Sequence, residues 1–580
     1  MGQMPLGPRG ATMSMPPLPQ SLGRALAMVC TCLLLVTSCG LIGGDDAEQL
    51  ASSGATPAAI ESGLDDAPKP QRGGQLVYGL EAEVSEKGYC LPEAELAISG
   101  MQVARSLYDT LTVPDATGGY APYLAKAVEH DDTFKTWTIS LRSDVTFHNG
   151  SSLDAEVVKN NIDAYRGTYA ARSPLLFSFV LSNIDRVEVV NEFTVKVTMK
   201  KPWVAFPAVL YASGRLGIMA QAQLDADPGD CSAKPIGTGP FSFVSWTPNE
   251  SLKVRRNSNY WQEAPDGKPY PYLNAVEFRP IQNSDARIAA LQQGELNMLH
   301  TSTAGDMAET LPALRDAEAI NLLISDERTE AAYVLINSSV APLDDQATRL
   351  ALARAIDRET LNEQANGSYP KIADGPFAPG VLGHLEDPGF PKFDLAAAKD
   401  QVAAMTERGA DTRISLLTSA GPVAVRQAQI QKDMLEAAGF TIDLEIEPEA
   451  ALIKRVIAGD YEMASFRNQP GEDPDMNHIW WYGDGNPVNF GRFDDPVINE
   501  KLDLARSNPD EDVRRAAYEA INQRFAEQVW NIWLWHAPWA VAEARNVHGI
   551  LGPDLPGSGG PPSARLVTGH SLLGIWIAAA

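Results

Sequence analysis

Residues 413–468 read RISLLTSAGPVAVRQAQIQKDMLEAAGFTIDLEIEPEAALIKRVIAGDYEMASFRN, and the alternation within this stretch decides the fold. Arg413 to Thr418 is a short apolar run of strand length, and Val423 to Ala438 carries apolar residues at helical spacing up to Gly439. Phe440 to Ile446 is again strand-like, Ala450 to Ala458 helical up to Gly459, and Tyr461 to Phe466 strand-like. Glycine is the usual stop for a helix because it enters the left-handed conformation without a steric penalty. Strand and helix in alternation predict a parallel sheet covered on both faces. In such sheets ligands bind beyond the carboxyl ends of the strands.

That rule nominates two loops, Ser419-Ala420-Gly421 and the longer run from Arg467 to Asp475. The longer one joins Arg467, Asn468, Gln469, Glu472 and Asp473, and is followed by His478, Trp480, Trp481 and Tyr482. Arg467 is suited to clamp a carboxylate with its guanidinium fork, Asp473 to meet an ammonium, and the tryptophans to form apolar walls. Replacing Arg467 by Ala is expected to weaken binding and leave fold stability nearly unchanged.

The chain before residue 330 follows other rules. Gly74 to Leu80 reads as an opening strand and Met101 to Tyr108 as part of a helix. Hairpins then dominate: Trp137, Ile139 and Leu141 alternate on one strand, and Val187 to Met199 folds back at Asn191-Glu192. Asp154 is placed to cap a helix that buries Val158, Ile162 and Tyr165. The block Pro235-Ile236-Gly237-Thr238-Gly239-Pro240-Phe241 reads as a glycine turn feeding a hairpin, its glycines supplying positive φ.

This block, with Val276-Glu277-Phe278, the run Arg287-Ile288-Ala289-Ala290-Leu291-Gln292-Gln293-Gly294-Glu295-Leu296, Trp137 to Arg142, Val145 to Gly150 and Leu352 to Arg358, resembles the bacterial extracellular solute-binding proteins of family 5. The resemblance covers nearly all of the chain after Arg72. It implies an α/β, two-lobed periplasmic-binding-protein-like fold of type II, in the large class with an extra subdomain in lobe one and a ligand cleft between the lobes. Lobe one is expected over 73–330, with an inserted subdomain at about 113–235, lobe two over 331–535, and a return to lobe one over 536–580. The crossings are placed near Tyr333 to Asn337 and in the aromatic run that holds Trp535 and His536, which adds Asn337, Trp535 and His536 to the candidate ligand residues beside Ser419. The C-terminal strand through Ile575-Trp576 is expected to complete lobe one. In peptide-binding relatives an aspartate shortly before the Asp-Pro-Asp run grips the ligand's amino end; this chain has Pro470 there.

The N-terminal region supplies an address. Arg9 and Arg24 precede a dozen mostly apolar residues, Ala25 to Val36, which end in Thr37-Ser38-Cys39. A charged start, a short apolar run and a small residue before cysteine make a signal peptide over 1–38 with Cys39 as the lipidation site. The run falls short of the roughly 20 apolar residues that a membrane span needs. Residues 39–72 are rich in Gly, Ala, Ser, Asp and Pro and read as a flexible tether of about 30 Å reach. The protein is thus expected to be exported and lipid-anchored to the outer face of the cytoplasmic membrane. With Cys30 and Cys32 in the signal, Cys90 and Cys231 are left as a possible disulfide in an oxidising compartment.

A formal net charge of -27 repels nucleic-acid phosphates and removes that class of partner. The eight histidines show no metal-ligand spacing, and neither a Gly-x-Ser-x-Gly elbow nor a His-Glu-x-x-His motif is present. No metal, cofactor or catalytic residue is expected. The resemblance implies a monomeric substrate-binding lipoprotein of an ABC importer, which captures a small solute, foremost a peptide, by hinge closure and delivers it to permease subunits in the membrane. An oligosaccharide or chelated metal as solute, a chemosensory receptor and a secreted lipoprotein enzyme stand as the alternatives.

Overall fold

The computed structural model describes residues 69–83, 88–94, 96–468, 473–557, 559–563 and 572–579. The signal segment, Cys39 and most of the tether lie outside the described residues. Among those described, no helix is long and apolar enough to cross a membrane.

The opening strand β1 (Gln75–Leu80) is followed by α1 (Ile98–Leu107), which begins three residues earlier than its apolar pattern predicts. Four strands then pair only with one another: β2 (Ala125–His130), β3 (Thr136–Leu141), β4 (Ile184–Asn191) and β5 (Thr194–Met199), in the order β2-β3-β5-β4. They make a small sheet inside the region read as an inserted subdomain. Trp137, Ile139 and Leu141 fill its buried face. Helix α2 (Ala155–Tyr165) packs on it, capped by Asp154, whose carboxylate accepts from the Val157 N–H at 2.9 Å. A bridge between Cys90 and Cys231, 141 residues apart, ties this region to the loop after β1. On the chain-entropy account a loop of that length stabilises by up to about 5 kcal/mol.

The glycine turn works differently from the sequence reading. Neither Gly237 nor Gly239 has a positive φ. A Cβ on Gly237 would lie 2.1 Å from the Leu107 carbonyl oxygen, and one on Gly239 2.5 Å from the Leu107 carbonyl carbon. These glycines let the turn press against the end of α1, where the Gly239 N–H donates to Leu107 O at 3.0 Å. The hairpin β6 (Phe241–Thr247) and β7 (Ser251–Arg256) follows, then β8 (Ala275–Pro280), α3 (Ser284–Gln292) and β9 (Met298–Thr301).

The stretch 413–468 folds as its pattern predicts: β12 (Arg413–Ser419), α4 (Pro422–Ala437), β13 (Thr441–Glu447), α5 (Glu449–Ala458) and β14 (Met463–Asn468). Strand β12 is parallel to both β13 and β14. Gly439 and Gly459 do take positive φ, 107° and 76°, at the helix ends. Two long strands, β10 (Ile320–Ile336) and β15 (Asn531–Ala544), join this half to the first, with the short β11 (Lys371–Ile372) paired on β15. The resulting order is β13-β12-β14-β10-β15-β9-β1-β8-β7-β6. The sheet is mixed, since β14 and β15 both run antiparallel to β10.

The ladder between β10 and β15 breaks midway. Ser325 pairs with Trp539 and Glu330 with Ala537, so four residues of one strand stand opposite Pro538 of the other. Proline has no N–H to give the ladder. Helices α6 (Pro496–Ser507) and α7 (Glu511–Gln528) complete the second half. Among the described residues the C-terminal strand β17 (Trp576–Ile577) pairs only with β16 (Val547–His548), in a ribbon outside the main sheet. Trp576 there packs with Tyr260, Tyr270 and Tyr272, so the segment meets the first half of the chain by packing and not as a strand of the main sheet.

Candidate functional site

The carboxyl ends of β1, β9, β12 and β14 open on one cavity of about 400 Å³. Glu81 follows β1, Ser302 and Thr303 follow β9, Ser419 ends β12, and Arg467 lies near the end of β14. Glu330, Trp535 and Pro538 line it from the crossing strands. Two helices, α1 and α4, start at its edge, and neither N-cap residue, Ala97 or Gly421, supplies a side-chain cap. Their first N–H groups leave the positive ends of two helix dipoles beside the cavity.

Arg467 spans this cavity. Its guanidinium donates to Ser302 Oγ at 2.7 Å and Glu81 Oε1 at 2.8 Å, and lies 3.8 Å from Glu330 Oε1. It also covers the Trp539 ring at 5.2 Å from the centroid. Burial works against the charge of Arg467, yet the carboxylates of Glu330, Glu81 and Glu449 raise its pKa. Burial alone would lift Glu81; the charges of Arg467, His300 and Arg287 hold it down at about 2. Glu330, at 3.8 Å, gains less from Arg467 than it loses by burial, and its pKa is raised although Trp539 Nε1 donates to it at 2.8 Å. The difference follows distance: Glu81 is in hydrogen-bond contact with the cation and Glu330 is not.

Ser419, Arg467, Trp480 and Trp535, all nominated from the sequence, meet at this cavity. Four other nominees do not. Asp473 accepts two hydrogen bonds from Arg514 Nη2, at 2.7 and 2.8 Å, and another from the Asp475 N–H at 2.9 Å. It is a structural cap and not an open anion. Asn337 is buried, donating to Gly459 O at 3.2 Å and Tyr461 O at 2.9 Å. Trp481 sits in the core against Phe377 and Phe525. His536 is buried off the cavity, because alternation along β15 turns Trp535 and Ala537 toward it and His536 to the other face. Asn468 belongs to β14, paired with Ala331, whereas Gln469 and Glu472 lie outside the described residues.

The sequence reading missed Glu81, Ser302, Glu330, Glu449 and Arg215, all of which line the cavity. Glu81 and Ser302 were reachable by the carboxyl-end rule, since β1 is parallel to both β8 and β9. Arg215 stands in irregular chain after a turn, where no periodic pattern points to it. Burial, and then the charge of Arg105, bring its pKa down to about 10.

Several known proteins share this architecture. The model of the bacterial extracellular solute-binding proteins, family 5, middle part, matches residues 119–490. The glutathione-binding protein GsiB of Salmonella paratyphi A is 31% identical over 301 residues, 51% of this chain and 55% of that protein. The chain thus spans about half the length of the curated relatives it matches. Two solved structures superpose over most of the chain: AgaA of A. tumefaciens R10 in complex with agropinic acid, with a TM-score of 0.77 and 22% identity over 87% of this chain and 99% of that one, and DppA of Helicobacter pylori in complex with the peptide STSA, with a TM-score of 0.76 and 21% identity over 88% and 99%. The family match covers well over half of the sequence, and the fold agrees with it: the chain belongs to the bacterial extracellular solute-binding proteins of family 5.

Proposed function

We propose that this protein captures a small peptide-like solute in the cavity between its lobes and hands it to the permease of an ABC importer. The observation that carries this reading is the cavity itself: it is bounded by residues of both half-sheets, and the two strands that join them lose their ladder at Pro538. A break of that kind is a natural hinge. Contacts that the solute makes with both lobes favour the closed form, and closure is the signal to the permease. Lobe one comprises 73–330 and 536–580, lobe two 331–535, and the small sheet of β2 to β5 is the inserted subdomain.

Trp480 and Trp535 give the cavity apolar walls, while Ser419, Gln427 and the charged groups give it polar ones. The GsiB relatives, described as glutathione-binding, support a peptide-like solute, as does the DppA complex by its fold. Cys39 carries a lipid that keeps the receptor near the membrane, and the body acts as a monomer. Calorimetric titration of the exported body with glutathione and the peptide STSA tests the reading, with mass spectrometry of the recovered solute. The expected result is binding at one site with the solute returned unchanged. Cleavage of the solute, or binding of neither compound, overturns it. Replacing Cys39 by Ser should release the protein from membranes and leave affinity intact.

A further inference from the structure

The walls of the cavity are unlike. The first half of the chain and the crossing strand β10 supply Glu81, Arg215, Arg287 and Glu330, and Arg467 of β14 reaches across to Glu81 and Glu330. The second half lines the rest with mostly apolar groups. Apart from Arg467, Glu449 is the only charged residue it contributes among the described residues.

Helix α5 shows how the apolar surface arises. Leu452 and Val456, four residues apart, are buried, whereas Ile453 and Ile457, one position further round the helix, are partly exposed and line the cavity. Phe466 of β14, Trp480 and Phe490 line it as well, the Phe490 ring lying 5.5 Å from Trp480 and 6.0 Å from Phe466 between centroids. The same three rings line a small recess with Tyr333 and Leu335, which gives this end of the cavity depth. Val423, at the start of α4, adds an apolar side chain that is 43% exposed. Large apolar groups left open to water in a concave wall are where an apolar part of a ligand gains most by burial.

We propose that Ile453 and Ile457, with Phe466, Trp480 and Phe490, form a specificity pocket for one large apolar side chain, so the protein prefers a solute that carries a Phe-sized or Leu-sized group over an all-polar one of the same backbone. This rests on the reading of the cavity as the solute site and narrows the class of solute. Calorimetric titration of the peptide STSA and its four single-Phe analogues, FTSA, SFSA, STFA and STSF, tests it on the wild type, Ile453→Ser and Ile453→Leu. The best analogue should bind the wild type at least about ten-fold more tightly than STSA, because one position of the peptide brings its side chain against α5. That ratio should fall to about two-fold or less in Ile453→Ser and be largely kept in Ile453→Leu, which retains the apolar area. Both affinities in a ratio are read on the same variant, so a partly unfolded sample does not alter it. Where Ile453→Ser does not fold, Ile457→Thr, of nearly unchanged shape, takes its place. STSA binding as tightly as all four analogues, or a ratio that the serine variant leaves unchanged, overturns the pocket and leaves the peptide reading standing. If none of the five peptides binds, the peptide reading falls and indole decides the pocket. Indole should bind the wild type and bind Ile453→Ser at least about ten-fold more weakly; equal binding to both, or to neither, overturns the proposal.

Discussion

Arg467 and Arg215 face the same cavity, yet direct contacts satisfy one cation far better than the other. Around Arg467, two carboxylates, a hydroxyl and an indole ring satisfy the cation before any solute arrives. Around Arg215, among the described residues, there are a long contact to the Leu96 carbonyl and the more distant charge of Glu330. A charge finished by its own chain serves the fold. The Asp475 site, away from the cavity, shows the finished extreme. Asp475 is 1% exposed and accepts from Arg506 Nε at 2.8 Å, Arg506 Nη2 at 2.9 Å and Trp203 Nε1 at 2.8 Å. Arg506 stacks on the Trp203 ring at 4.4 Å, fixing the chain after the small sheet to the second half.

The largest effect should therefore come from Asp475→Ala. It strands Arg506 as a buried, uncompensated cation and removes the acceptor of Trp203. A loss of about 3–5 kcal/mol is expected in urea denaturation. A loss below about 1 kcal/mol would show that the pair contributes nothing beyond packing.

Next comes Arg467→Ala, for which the ion pairs with Glu81 and Glu330 predict a loss of stability where the sequence alone predicts almost none. Its removal leaves Glu81 and Glu330 as neighbouring buried carboxylates. Solvent reaches 37% of the Arg467 side chain, so the cost is discounted to about 1–3 kcal/mol. The same variant changes the acid limb of the stability curve. Glu81 has its folded pKa lowered from 4.5 to about 2, so its contribution is complete above pH 4.5 and disappears as pH falls toward 2. Thermal unfolding from pH 6 to pH 2 should show this loss in the wild type and much less of it in Arg467→Ala. Parallel curves would mean that Arg467 is not what holds Glu81 ionised.

A third test concerns a buried carboxyl that burial keeps largely neutral. Glu543 on β15 is fully buried and has no ion-pair partner among the described residues; burial raises its pKa from 4.5 to about 8, with Asn321 lowering it in part. For a carboxyl raised in this way the contribution is complete below pH 4.5 and is lost as pH rises through 8. Glu543→Gln should match the wild type at pH 4 and exceed it by about 1–2 kcal/mol at pH 8, allowing for water penetration around the ionised group. A variant less stable than the wild type at pH 8 would show that the carboxylate has an unrecognised partner.

The same contrast explains what the sequence could and could not disclose. The 413–468 stretch was legible because each element there is local: an apolar period, a glycine stop, a short link. The carboxyl-end rule then led to Ser419 and Arg467 without knowledge of any partner. The first half was less legible because β1, β8 and β9 come together across some 200 residues, so the loops after them could not be read as neighbours. Asp473 and Trp481 misled for a related reason. A carboxylate and an indole look the same in sequence whether they face a cavity or, as here, Arg514 and Phe525. The glycines at 237 and 239 serve close approach and not a positive φ, which the local sequence does not disclose because their neighbour, the end of α1, lies about 130 residues earlier in the chain.

The smallest expected effect is at the start of α1. Ala97→Ser gives α1 the side-chain cap it lacks, and an N-cap hydroxyl in place of alanine is worth about 0.5–1 kcal/mol of stability. Thermal unfolding of the empty protein should show a slightly higher Tm, because one of the free N–H groups in the first turn gains an acceptor. Reduced stability would mean that the loop before α1 cannot place a side chain for capping.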